Sequence, residues 1–248
     1  MNDAVTTLGY FLKLFTRWAI LTLAFALLLF LASGSTAHPS LRLYLGTLSA
    51  FLLATMLSID PGLTEERSHC PEKVATAGRV AAGLSFLATP ALAALDIGRL
   101  HRFDCFSDEV RVAGLLVFAA GNTLQLWAMV SNPFFSPEIR LQRERGHRLI
   151  TGGPYRWLRH PGYLAMLISV NASTFAIGSW LGLLPAFIFC MVILKRVDAE
   201  EKFLEKNLVG YRDYMLQVTG RLVPSILRRP AQPCASESVH VRSKPRRP

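Results

Sequence analysis

Charged residues are scarce in this chain. Only 18% of its 248 residues are Asp, Glu, Lys or Arg, against about 25% in ordinary soluble domains. Cysteine is sparse as well: Cys70, Cys105, Cys190 and Cys234 lie far apart and form no CxxC pair. That spacing implies no disulfide framework and speaks against a metal cluster. No GxGxxG fingerprint follows a strand, so the soluble nucleotide-binding fold is not indicated. Disordered, collagen-like and disulfide-scaffold classes are excluded by the same composition.

What replaces charge is apolar length. Hydrophobic residues make up 51% of the chain and the mean hydropathy is +0.32. Apolar runs far longer than a core helix needs point to a membrane protein. The length allows one domain of five or six spans, with no room for a separate soluble enzyme. Basic residues outnumber acidic ones, 27 to 17, for a formal net charge of +10. Eighteen of the 27 lie after residue 131, six in 132–161 and twelve in 195–248. In so apolar a chain this asymmetry reads as membrane orientation rather than nucleic-acid binding.

Four apolar runs precede the charged region. Trp18 to Ala32 is flanked by Lys13 and Arg17 and ends at Ser33-Gly34-Ser35. It has the parts of a signal peptide, but it starts late and further spans follow, so a retained first helix is expected. Leu41 to Ile59 stops at Asp60-Pro61-Gly62. A run over 76–97 contains Pro90 and many Ala and Gly residues, which suit close helix packing in lipid. Val110 to Ser131 ends at Asn132-Pro133.

Residues 132–161 break the pattern, being polar and Arg-rich with turn signals at Gly152-Gly153-Pro154 and His160-Pro161. Gly162 to Leu194 is then apolar for 33 residues. One helix of that length would rise about 50 Å, beyond the ~30 Å hydrocarbon core. Two helices folded at Gly178-Ser179 are therefore predicted. An amphipathic helix over Val197–Leu208 should follow, and a Pro/Ser/Arg-rich disordered tail after Arg228-Arg229-Pro230. The expected fold is an all-α, polytopic membrane helical bundle of five to six spans with a C-terminal helical hairpin. Residues 1–131 are expected to form a four-span membrane region, 132–227 the functional core and 228–248 the basic tail. The basic loops and tail, with no evident targeting segment, predict a multi-pass protein of a bacterial inner membrane, its site facing the cytoplasm.

The chemistry-bearing residues concentrate in two stretches. The first holds Gln142-Arg143-Glu144-Arg145-Gly146-His147 and then Gly153-Pro154-Tyr155-Arg156-Trp157-Leu158-Arg159-His160-Pro161-Gly162-Tyr163. The second holds Arg196, Glu200-Glu201, Gly210-Tyr211-x-x-Tyr214 and Arg221-Leu222-Val223-Pro224. Both abut ends of the last two apolar helices, so a cationic loop, aromatic rings and a carboxylate pair can face one another at the membrane surface. Each feature has a plainer reading. Arg and Tyr near span ends anchor helices in the interface, Pro161 can open a helix, and Glu200 can pair with Arg196 at i, i+4. Asp96, Asn122, Gln125 and Asn171 lie in or near spans, where interhelical hydrogen bonds are the usual role; Asn171, two turns beyond Tyr163, is the one expected to line a pocket. His69-Cys70 and His101-x-x-x-Cys105 offer incomplete metal spacing, and no metal site is expected.

Taken together, residues 132–224 resemble the isoprenylcysteine carboxyl methyltransferase family, including its bacterial members and more remotely the phospholipid methyltransferases. The Gly-Pro-Tyr-x-x-x-Arg-His-Pro-Gly-Tyr motif, the apolar hairpin and the Glu-Glu pair carry the resemblance. The region at Gly210-Tyr211 is a residue shorter than the family's commoner form. The resemblance implies a membrane enzyme that uses S-adenosyl-L-methionine, and it adds a cytoplasmic cofactor pocket to the expected fold. Its cofactor would be held by Gln142, His147, Arg148, Leu149, Ile150, Tyr155, His160, Pro161, Gly162, Tyr163 and Glu200. Arg196 would face the methyl acceptor, with Arg159 and Glu201 completing the catalytic set. The acceptor would be a lipophilic or prenylated molecule entering from the bilayer, most simply an isoprenylcysteine-like carboxylate. Two alternatives stand beside this reading. A sterol-type membrane reductase would use the Arg residues of 140–159 to hold NADPH, and a non-catalytic scaffold would keep the residues without turnover.

Overall fold

A computed structural model describes residues 2–59 and 77–224. These form helices and no strands: α1 (Asn2–Ser33), α2 (Pro39–Ser58), α3 (Ala77–Leu95), α4 (Asp108–Ser131), α5 (Pro161–Ile177), α6 (Leu183–Asn207) and the short α7 (Tyr211–Gln217). The expected stop at Asp60-Pro61-Gly62, the segment with His69-Cys70, Cys234 and the tail 228–248 lie outside the described residues. α1, α2, α4, α6 and α3 with its extension to Leu100 are long and apolar enough to cross a membrane. At 17 residues, α5 rises only about 25 Å. Large apolar side chains point outward around the bundle, among them Leu23 (67% exposed), Leu84 (63%), Leu116 (66%) and Phe187 (65%). Water would penalise such a surface and lipid does not, so this is an integral membrane protein.

Lipid gives helices little hydrophobic reason to associate, and close packing substitutes for it. The tightest pair is α4 with α5. A Cβ on Gly114 would sit 2.5 Å from the backbone nitrogen of Ala176, and one on Gly121 would sit 2.4 Å from Ser169 Oγ. The two glycines, two turns apart, let α4 lie directly on α5. α3 packs along α6, where the rings of Phe86 and Phe189 come to 6.1 Å.

The hairpin folds where the sequence predicts. Gly178 adopts a left-handed φ of 114°, open to glycine at little cost, and Ser179 Oγ accepts from the Leu181 N–H. At the same end of the bundle α3 widens into a π turn, Asp96–Leu100. Asp96 is fully buried and accepts hydrogen bonds from Ser179 Oγ (2.7 Å) and the Arg102 and Phe103 N–H groups. Arg99 donates to the carbonyls of Ala32 and Leu31, capping α1 with a cation where its dipole favours one.

Three expectations change. The amphipathic helix over Val197–Leu208 is not separate. Leu183–Asn207 is one helix, because after Pro185 it contains neither Gly nor Pro and runs through Leu, Lys, Arg, Ala and Glu, all good helix formers. Asn122 donates within its own helix, to Phe118 O, and Gln125 to Met129 Sδ, rather than between helices. Asn171 donates to Leu167 O and Cys190 Sγ, turning toward α6, and it does not line the large cavity at the polar end of the bundle. We predict that Gly121→Val lowers the melting temperature of the detergent-solubilised protein by the equivalent of about 1–3 kcal/mol, as overpacking does. Gly46→Ala, with nothing within 4 Å of its added carbon, should leave it unchanged.

Candidate active site

The polar loop, α3, α5, α6 and α7 enclose one cavity of about 960 Å³. α6 supplies its spine. Arg196 and Glu200, four residues apart, share a face of that helix and meet at a single phenol. Tyr163, in the first turn of α5, donates its O–H to Glu200 Oε2 at 2.5 Å and accepts from Arg196 Nε at 2.7 Å. Arg196 also donates through Nη2 to the carbonyl of Pro137, which fastens the loop to α6. Beyond Tyr163 the cavity runs between α3 and α6, lined by Ala82, Phe86, Met166, Phe189, Val192 and Ile193. The other end lies under the loop and α7, against Leu149, Tyr155, Leu204, Leu208 and Tyr211. One cavity therefore has an apolar end among the spans and an aromatic, polar end outside them.

Glu201, next to Glu200, points about 100° away around the helix and serves a different purpose. Its carboxylate pairs with Arg159 Nε at 2.7 Å, His160 Nε2 at 3.2 Å and Arg221 Nε at 3.0 Å. Arg159 extends the knot by donating through Nη1 to Val218 O. The backbones add to it: the Arg159 and His160 N–H groups donate to Gly220 O and Arg221 O, and Arg221 also pairs with Asp198. The segment after α7 is thereby laced to the start of α5. Tyr214, buried on α7, donates to Tyr155 O at 2.7 Å and to Leu158 O at 3.3 Å.

The loop is organised by Gln142, which is fully buried. Its Nε2 donates to Phe134 O, its Oε1 accepts from Arg145 and its backbone N–H donates to His147 Nδ1 at 3.2 Å. The imidazole of His147 stacks on Phe134, with centroids 4.5 Å apart and planes 12° from parallel. With Nδ1 accepting, a neutral His147 carries its proton on Nε2. Burial, followed by the nearby Arg140 and Arg145, holds its pKa below the usual 6.5, opposed by Glu144. Burial likewise pushes the phenols of Tyr155, Tyr211 and Tyr214 upward, so all three are neutral near pH 7. Tyr155 accepts from Asn132 Nδ2, whereas the hydroxyl of Tyr211 has no partner among the described residues.

Most residues singled out from the sequence meet at this cavity. His147, Arg148, Leu149, Ile150, Tyr155, Arg159, His160, Gly162, Tyr163, Arg196 and Glu200 all line it. Gln142, Pro161 and Glu201 do not: they stand behind the wall as loop organiser, first residue of α5 and ion-pair node. Sequence reasoning missed the α3 wall at Ala82 and Phe86, the rings of Phe134 and Phe135, and Leu204 with Leu208; it singled out Tyr211 without assigning it to the pocket. The small residues Ala81-Ala82-Gly83 held a signal, since they leave space as readily as they permit packing. Gly162 held another, because a Cβ there would lie 2.5 Å from the Phe135 ring.

Three comparisons bear on this arrangement. Residues 112–206 match the model of the isoprenylcysteine carboxyl methyltransferase family. Two curated relatives, probable protein-S-isoprenylcysteine O-methyltransferases of Oryza sativa subsp. indica and subsp. japonica, are each 34% identical over 119 residues, 44% of this chain. The match spans 59% of the length of each relative. The solved eukaryotic intramembrane Ras methyltransferase, an isoprenylcysteine carboxyl methyltransferase, superposes with a TM-score of 0.51 at 20% identity, covering 91% of this chain and 88% of its own. At that identity the likeness is one of fold.

Two outcomes follow from the geometry. Glu201→Ala removes a shared partner from Arg159, His160 and Arg221 and should cost about 1–3 kcal/mol, seen as a lower melting temperature with faster proteolysis after α7. The pH dependence has a definite sign. His147 binds a proton less readily folded than unfolded, so its contribution is complete above about pH 6.5 and is lost as the pH falls below it. Between about pH 8 and about pH 5, the wild type should lose more thermal stability than His147→Gln.

Proposed function

Because residues 112–206 match the model of the isoprenylcysteine carboxyl methyltransferase family, we propose that the chain belongs to it and methylates the carboxylate of a lipophilic, isoprenylcysteine-like acceptor with S-adenosyl-L-methionine as donor. The observation that carries this reading is the continuity of the cavity. One space joins phenols, a carboxylate and a guanidinium at its polar end to a mainly apolar passage between α3 and α6, with Arg79 and Lys195 also in its lining. The polar end suits a donor arriving from water, and the apolar passage suits an acceptor arriving from lipid.

The residues at the polar end fit the donor. The aromatic faces of Tyr155 and Tyr163 and the carboxylate of Glu200 all attract a cation. His147 presents an N–H, and Arg148, Leu149 and Ile150 contribute the loop wall. His160 and Gly162 continue that wall at the start of α5, while Gln142 and Pro161 act by holding it in place. When bound, S-adenosyl-L-methionine supplies an electrophilic methyl group on a sulfonium, transferred by in-line displacement. The protein's task is then alignment, where most of the rate enhancement in such reactions lies.

Arg196 orients the acceptor. A guanidinium carries five N–H groups, of which one serves Tyr163 and one Pro137. The remaining three can hold a carboxylate bidentately. A carboxylate is ionised near pH 7 and needs no general base. Glu201, already matched by the guanidinium groups of Arg159 and Arg221 and the ring of His160, is accordingly assigned with Arg159 to positioning. The polar end faces the cytoplasm, on the side of the six Lys and Arg residues in 132–161, and the bacterial inner membrane is the proposed host.

Calorimetric titration of the purified protein with S-adenosyl-L-methionine and, separately, with NADPH tests the donor. We expect the first to bind, Glu200→Ala to weaken it at least about tenfold, and NADPH not to bind. NADPH binding alone would make the protein a reductase, and silence with both would leave a scaffold. Arg196→Lys should lower kcat/KM for methylation of an S-farnesylcysteine acceptor by about 100-fold with donor affinity nearly unchanged.

A further inference from the structure

We infer that Tyr211 is a ligand-contacting residue whose hydroxyl hydrogen-bonds the nucleoside half of the methyl donor; this rests on the methyltransferase reading above. Tyr211 is 3% exposed and lines the cavity, yet its hydroxyl has no hydrogen-bond partner among the described residues. Buried polar groups are satisfied in the large majority of cases, and leaving one unmet forfeits its hydration without return. The neighbouring phenols obey that rule: Tyr163 meets Glu200 and Arg196, Tyr155 meets Asn132, and Tyr214 meets two carbonyls. Phenylalanine at 211 would pack equally well against Leu149, Leu204 and Leu208 and would carry no unmet group. The hydroxyl is explained by a partner that is not part of the chain.

Its position identifies the half of the donor it meets. Tyr211 opens α7, and α7 is pinned by the Tyr214 hydroxyl to the carbonyls of Tyr155 and Leu158. Its hydroxyl is thus a fixed point in the wall. Leu149, Leu204 and Leu208 pack around Tyr211, Tyr155 lines the same cavity, and the charges of Glu201, Arg159, Glu200 and Arg221 lie near enough to act on its phenol. Apolar, aromatic walls with one polar atom at their edge suit a flat heteroaromatic base, whose faces are apolar and whose edge is polar. The charged group that would take the amino-acid half, Glu200, lies a turn back along α6 from Leu204. A neutral phenol both donates and accepts, so it can meet either the ring nitrogens or the exocyclic amine of a purine.

The test is Tyr211→Phe, which removes one oxygen. Apo melting temperature and the affinities for S-adenosylhomocysteine and for 5′-methylthioadenosine, the nucleoside fragment, would be measured by scanning fluorimetry and calorimetry. We expect an unchanged or slightly raised melting temperature and roughly tenfold weaker binding of both ligands. Equal affinity of variant and wild type would overturn the inference, leaving the hydroxyl to a water. Weaker binding of S-adenosylhomocysteine alone would move the contact to the amino-acid half and overturn the assignment to the nucleoside. A fall of several degrees in the apo melting temperature would mean that the hydroxyl has a partner inside the protein, and would equally overturn the inference. Failure of the wild type to bind either ligand would instead sink the methyltransferase reading, and the inference with it.

Discussion

The carboxylate of Glu201 is the interaction on which the polar half of the molecule depends. Three chain segments far apart in sequence converge on it: the loop end at Arg159 and His160, the helix α6 itself, and the stretch after α7 at Arg221. Isolated, any of these pairs would contribute little at a surface. Together, and mostly shielded from water, they work as a registry device that excludes other dockings of the tail. Remove the knot, and α7 is held over the cavity by Tyr214, the Arg212–Glu205 pair, its apolar contacts and the two backbone bonds just beyond it. The neighbouring Glu200 is free to face inward because Glu201 faces outward. A helix turning 100° per residue separates an architectural carboxylate from one that lines the cavity at adjacent positions.

The apolar half obeys different physics. Its helices are surrounded by exposed Leu, Phe and Val side chains, so burial of apolar area discriminates weakly between packed and separated helices. What specifies the arrangement is contact distance and a few polar groups. Gly114 and Gly121 bring α4 onto α5, and Asp96 gathers Ser179 and two backbone N–H groups at the end of the bundle away from the loop. A carboxylate in such surroundings stays only with its hydrogen bonds made. The π turn at Asp96–Leu100 is where the chain widens to make them.

How much of this was legible depended on whether the determining physics was local. Apolar length marked every span, and Gly178-Ser179 marked the hairpin because glycine and a capping serine are local signals. The Gly-Pro-Tyr-x-x-x-Arg-His-Pro-Gly-Tyr run gathered most of the cavity residues because loop 132–161 and the start of α5 are contiguous in sequence. The different jobs of Glu200 and Glu201 were not legible, since only the rotation of α6 against its neighbours decides which carboxylate turns inward. Nor was the α3 wall, because Ala82 and Phe86 bear no chemistry and matter only through the space they leave. Gln142 reads as a ligand by type, yet its buried side chain organises the loop. Tyr211 stands out in the sequence as part of Gly210-Tyr211-x-x-Tyr214, but its unmet hydroxyl shows only in the structure.

The unbroken helix α6 has a mechanical consequence. Twenty-five residues in one rod extend about 37 Å, from Leu183 among the spans to Asn207 beside α7. Pro185 and Glu200 lie ~22 Å apart along it, so a tilt of about 5° pivoting near Pro185 would carry Glu200 sideways by ~2 Å, the scale on which a helix answers a change in bilayer thickness. That exceeds the tolerance of a hydrogen bond. Any such tilt of α6 against α5 would change the spacing of Glu200 from Tyr163, with α6 as the lever arm.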